Sequence, residues 1–141
     1  MNFRIATIKD YPGLHHVRTS VRENILSDPT RITEDDYREM IEERGRGWVC
    51  EIDGKIIGFS IIDLHAQNIW ALFLLPEYES RGIGKKLHDL MMEWAATQNI
   101  ASVWLSTSSG TRAVGFYRKI GWTEIGFLDN GEVKFEWFFD R

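Results

Sequence analysis

The stretch "GWVCEIDGKIIGFSII", from Gly47 to Ile62, limits what this chain can fold into more than any other. Two apolar runs flank Asp53-Gly54, a pair suited to the left-handed backbone of a tight primed turn, so the runs read as an antiparallel hairpin. In the second run Ile56 and Ile62 fall on one face, and Ile57, Phe59 and Ile61 on the other. A strand that is apolar on both faces must be covered on both. It belongs at the centre of a sheet with helices on either side.

The neighbouring segments can provide that cover. Phe3 and Ile5 read as a short strand, and Asp10 as the cap of a following helix in which Leu14, Val17, Val21 and Ile25 share one face as far as "LSDP". Thr33 and Asp36 have the spacing of a capping box, with Ile32 and Tyr37 as its staple and Tyr37, Met40 and Ile41 facing inward. A strand from Ile69 to Leu75 stops at Pro76, which has no N–H for a ladder. Ile83, Leu87, Leu90, Met91 and Trp94 then mark a helix, and "ASVWLST" a strand. Ala113, Phe116, Tyr117 and Ile120 stripe a short helix closed by Gly121, and "TEIGF" and "EVKFEWFF" form a hairpin about Asn130-Gly131. The order predicts an α/β (α+β) fold, a mixed and mostly antiparallel sheet of about six or seven strands with helices on both faces.

A chain of 141 residues with 43% apolar content fits one core, a single domain over 1–141. The net charge of −4 argues against a general nucleic-acid or anionic-membrane partner, and no apolar run approaches the ~20 residues of a membrane span. Cys50 stands alone, and "MNFRIATIKD" lacks the apolar core of a signal peptide, so a cytoplasmic setting is expected.

Chemistry concentrates in "LLPEYESRGIGKKL", from Leu74 to Leu87. A strand ending at Pro76 and a helix starting near Gly82 leave the N–H groups from about Ser80 to Lys85 unpaired, where the helix dipole favours an anion. Lys85 and Lys86 in the first turn oppose the dipole, a cost that a bound phosphate would reverse. The P-loop is excluded, since it would require glycine at Glu79 and Ser or Thr at Lys86. The dinucleotide fingerprint is excluded by Leu87 at its third glycine.

Followed by "VWLST" and "AVGFYRKIGW", this segment resembles the coenzyme A-binding half of the Gcn5-related N-acetyltransferase (GNAT) superfamily. The resemblance is strongest from Ile69 to Trp122, and the element order extends it over nearly the whole chain. It implies acetyl-CoA as co-substrate and no metal. Leu72, Phe73 and Leu74 would lend backbone groups to the pantetheine arm, as an added strand does to a sheet edge. Ser80, Arg81, Gly82, Ile83, Gly84 and Lys85 would cradle the pyrophosphate, and Tyr117 would protonate the departing thiolate. The same resemblance exposes three departures. Ser106 stands where some relatives have a basic carboxylate, Glu79 where Arg or Gln is usual, and Gly110 where Asn often precedes the tyrosine helix. Glu79 is expected to point away from the pyrophosphate or to pair with Arg81.

Direct transfer to the amine of a small-molecule or peptide acceptor is the expected activity. O-acetylation, transfer of a longer acyl group, and a non-catalytic acyl-CoA sensor are the alternatives, and pairing into a homodimer is left open. The acceptor would be gripped by the first two helices, their loop and the final hairpin. Asp63 and His65 could shuttle a proton, and the six acids from Glu34 to Glu43 could draw a cation, although exposed surface explains them as well. Trp48, Trp70 and Trp104 default to core.

Overall fold

The computed structural model describes residues 1–139. Seven strands, β1 (Asn2–Ile5), β2 (Gly45–Ile52), β3 (Lys55–Asp63), β4 (Asn68–Leu74), β5 (Ser102–Thr107), β6 (Thr123–Phe127) and β7 (Val133–Phe138), form one sheet in the order β1-β2-β3-β4-β5-β7-β6. All neighbours are antiparallel except β4 and β5. Four α-helices accompany them: α1 (Tyr11–Ser20), α2 (Glu34–Arg38), α3 (Ile83–Ala96) and α4 (Arg112–Lys119). A wider π turn, Glu39–Arg44, continues α2 into β2.

β3 is the predicted central strand, buried from Ile56 to Asp63. Asp53 and Gly54 both have positive φ, 51° and 77°, as the primed turn of its hairpin requires. Register with β2 shifts between Cys50 and Glu51, leaving Ile57 as an extra residue. This bulge corrects the simple alternation. Ile56 turns to the α1 side, where a Cβ on Gly13 would meet its Cδ1 at 2.8 Å, while the Ser60 hydroxyl donates to the Leu87 carbonyl of α3 at 3.2 Å. Phe59 and Ile61 stay fully buried, and α1 and α3 pack on opposite faces of the sheet.

The first helix is shorter than its apolar spacing predicts. It ends at Ser20, Val21 is extended, and Ile25 is 70% exposed, so only Leu14 and Val17 are core. Asp10 does not cap α1 with its side chain. Its carboxylate receives the Thr7 N–H at 2.8 Å and both terminal Arg4 nitrogens, because the Arg4 guanidinium on β1 makes the stronger, charge-assisted bonds. The Thr33–Asp36 capping box forms as predicted, and Tyr37 behind it is fully buried. Gly121, φ 105°, closes α4.

Candidate active site

The single parallel pairing fixes where a site can exist. β4 and β5 meet in register only at Asn68 and Trp104, supported by the Trp104 N–H to Gln67 carbonyl bond at 2.9 Å and the Asn68 side-chain amide to the Trp104 carbonyl at 3.2 Å. Beyond that point the strands separate, and the β5-facing backbone of Leu72, Phe73 and Leu74 has no ladder partner among the described residues. On its other side β4 stays paired with β3, apart from one extra residue, Trp70, where the register slips. The gap is a cleft of about 360 Å³, lined by β4 from Ile69 to Phe73, β5 from Leu105, the α1–α2 loop, α4 and Glu132.

The loop is pinned across the cleft by three bonds. The Asn24 amide donates to the Thr107 hydroxyl at 3.1 Å and its oxygen accepts the Ser108 N–H at 3.0 Å, while Glu23 accepts the Arg112 N–H at 2.9 Å. Asn24 holds positive φ to do so. The Glu23 carboxylate also stands in for the absent side-chain cap of α4.

The glycine turn lies at the end of β4. Ser80 (φ 64°) and Gly82 (φ 83°) reverse the chain into α3, whose first closing bond runs from the Lys86 N–H to the Gly82 carbonyl at 3.1 Å. The N–H groups of Ile83, Gly84 and Lys85 therefore have no acceptor within the helix. A Cβ on Gly82 would meet no atom within 4 Å, and one on Gly84 only Leu74 Cδ1 at 3.4 Å. The space over this turn is thus kept free by the glycines, as the close approach of a pyrophosphate would need. Glu79 pairs with Arg112 of α4, which also donates to the Ser80 hydroxyl at 2.7 Å. The predicted partner, Arg81, instead lies over the Tyr78 ring. Lys85 pairs with Asp89 one turn along at 2.7 Å.

Tyr117 projects from α4 into the same cleft, and its ring packs against Phe116, Trp122 and Phe135 with centroids 5.1 to 5.9 Å away. Among the described residues its hydroxyl has no hydrogen-bond partner, and burial pushes its pKa above the ordinary phenol value. Of the three tryptophans expected in the core, Trp70 lines the cleft, Trp48 meets Trp94 edge to face, and the Trp104 indole donates to the Ala66 carbonyl at 3.1 Å. Asp63 is buried against Arg44 at 2.9 Å and His65 is exposed, and neither lines the cleft.

Two site residues escaped the sequence. The Ser106 hydroxyl, in place of a carboxylate on β5, donates at 2.8 Å to Glu132 just before β7, so an acid lines the cleft after all. The pairing of β5 with β7, Ser106 opposite Lys134, brings these residues together across 26 positions. Arg18 of α1 lines the cleft with its guanidinium over the Phe73 ring, 4.2 Å from the centroid. Its position one residue from the buried stripe of α1 was the only sequence signal, and an arginine there reads as surface.

Comparison with known proteins agrees with this geometry. An uncharacterised N-acetyltransferase of Archaeoglobus fulgidus is 35% identical over 80 residues, 49% of this chain and 54% of that protein. The peptidyl-lysine N-acetyltransferase YjaB of Salmonella typhimurium is 34% identical over 82 residues, 56% of this chain and 51% of that protein. The chain thus spans about half the length of these curated relatives. The crystal structure of the PaiA N-acetyltransferase from Thermoplasma acidophilum in complex with coenzyme A superposes with a TM-score of 0.83 at 19% identity, covering 99% of this chain and all of that one. The profile of the acetyltransferase (GNAT) family matches residues 12–122, and with the splayed β4 and β5 and the glycine turn between them, the chain belongs to that family.

Proposed function

We propose that this chain transfers an acetyl group from acetyl-CoA to the amine of a small-molecule or peptide acceptor, directly and within a ternary complex. The observation that carries the reading is the set of features along β4: the open space over Gly82 and Gly84 beyond its end, its unpaired edge, and a cleft lined by Tyr117 and by the Ser106–Glu132 pair. The thioester supplies the acetyl group; this chain's residues bind, orient and move protons. The N–H groups from Ser80 to Lys85 hold the pyrophosphate, and the free edge of Leu72, Phe73 and Leu74 takes the pantetheine arm as an added strand.

Two proton transfers then remain. The acceptor arrives as an ammonium and must lose a proton, which Glu132, oriented by the Ser106 hydroxyl, is placed to receive. Tyr117 gives its proton to the leaving sulfur. The burial that raises the phenol pKa keeps it protonated through the neutral range, so the donor is in place when the thiolate departs. Cys50 takes no part, being fully buried with a thiol pKa raised by burial, so no acetyl group is parked on the protein.

A non-catalytic sensor would need neither an acid nor a base in the cleft. The departures at Ser106 and Glu79 would favour it, but Ser106 leads to Glu132 and Glu79 is neutralised by Arg112. The test is a panel of amines with acetyl-CoA and colorimetric detection of free thiol, run on the wild type and on Glu132→Gln. Transfer to at least one amine, lowered on the order of 10²-fold in the variant with coenzyme binding retained, is expected. Tight coenzyme binding with no thiol release from any amine would return the protein to the sensor reading.

A further inference from the structure

Arg18 poses a problem in the free protein. Its guanidinium makes no hydrogen bond or ion pair with any described group; Nη1 is cut off from solvent without an acceptor, and the face rests on Phe73. Burial pushes its pKa down, yet an arginine keeps its charge in any protein environment. The same side chain borders a second pocket of about 100 Å³ formed with Ile32, Tyr37, Phe59 and Trp70, all apolar or aromatic. Of the charged groups lining the main cleft, Glu132 is engaged by Ser106, and Arg31, the third, is another cation. Nothing in the described chain answers the Arg18 charge, and that charge lies where an acceptor must enter.

A half-buried cation stacked on an aromatic ring, with its N–H donors unspent, is completed by a planar anion. A carboxylate fits best, since it accepts two parallel bonds from a guanidinium and its single charge matches the single buried cation. Resting on the acetyl-transfer function above, we propose that the acceptor carries a carboxylate close to its amine, and that Arg18 receives it. The amine then lies toward Glu132 and Tyr117 and the carboxylate toward α1, both inside one cleft of about 360 Å³, so only a few bonds separate them. A free amino acid has that arrangement, and so does a peptide whose amine lies beside an acidic side chain.

The test uses acceptors that differ only in this charge. Free L-amino acids are paired with their α-amides, and Asp- or Glu-containing dipeptides with their Asn or Gln counterparts. Each pair is assayed for thiol release with acetyl-CoA, and its N-acetyl products for thermal stabilisation of the chain loaded with coenzyme A. The carboxylate member is expected to win by on the order of 10²-fold in kcat/KM, chiefly through KM, and Arg18→Gln to erase the preference. Preference among amino acids or among dipeptides identifies the source. Neutral members that serve equally well overturn the proposal, as does a preference that survives in Arg18→Gln. A loss of kcat shared by both members, with KM unchanged, would also overturn it and assign the cation to the reacting carbonyl instead. If Arg18→Gln does not fold, Arg18→Lys keeps the stem and the charge but not the fork, and should weaken the preference without reversing it. Complete absence of thiol release would refute the transfer function, and the stabilisation by N-acetyl carboxylates would still report on Arg18 by itself.

Discussion

Replacing Tyr117 with phenylalanine removes one oxygen from the centre of the cleft and leaves the ring. The ring's contacts with Phe116, Trp122 and Phe135, at 5.1, 5.6 and 5.9 Å between centroids, need only the six carbons and survive the change. Among the described residues the hydroxyl has no hydrogen bond to lose, so no partner is stranded and stability should move by less than about 1 kcal/mol in either direction. Rate is another matter. If the phenol protonates the sulfur, turnover should fall on the order of 10²-fold, about 2.7 kcal/mol of barrier, while the affinity for acetyl-CoA changes little. The pH profile adds a second readout. A phenol whose pKa lies above its ordinary 10.0 stays protonated up to and past that value, so the wild-type rate should rise as the acceptor amine deprotonates and show no alkaline fall below pH 10. Thiol release under saturating acetyl-CoA, on samples shown to be folded by their melting temperature, measures both. Wild-type turnover in Tyr117→Phe, or an alkaline limb well below pH 10 that is unchanged in the variant, would refute the assignment.

Gly84→Ala should raise the melting temperature of the free chain slightly, because alanine favours the helix by about 1 kcal/mol and its methyl meets only Leu74 at an ordinary distance. Calorimetry should nevertheless show weakened acetyl-CoA binding, and undiminished affinity would move the pyrophosphate elsewhere. His88 is buried, accepts the Trp122 indole N–H at 2.9 Å, and has its pKa lowered by burial despite the neighbouring Asp89. The unfolded chain therefore binds more protons below about pH 6.5, so stability is full above that value and declines as the pH falls toward the folded pKa. Melting curves from pH 7.5 to 5 should show the decline, and His88→Gln should flatten it. Cys50→Ala should leave single-step kinetics intact, and a trapped acetyl-cysteine would contradict direct transfer.

What could be read from the sequence was local. The Asp53-Gly54 turn, the Thr33–Asp36 box and the glycine turn before α3 each depend on residues within four positions of one another, where backbone preference and spacing decide the outcome. What escaped depends on distance along the chain. Glu79 was captured by Arg112 and Ser106 found its carboxylate 26 residues on, neither of which a local pattern encodes. The end of α1 was misjudged for a related reason. Val21 and Ile25 continue the apolar spacing, but the chain leaves the helix at Val21 so that Glu23 and Asn24 can reach α4 and β5.

The short ladder between β4 and β5, one residue pair long, also bears on how the molecule would yield to a pulling force. Four strands lie on one side of that junction and three on the other, and along it only the pair Asn68 and Trp104 is in register. Tension applied across the sheet would concentrate there, since every other seam shares the load among several rungs loaded together. An acetyl-CoA molecule laid along β4 would act as a clasp over this weakest seam. Stretched in the presence of the coenzyme, a single chain would rupture at a higher force than it does alone, with the gain lost when the edge of β4 is blocked.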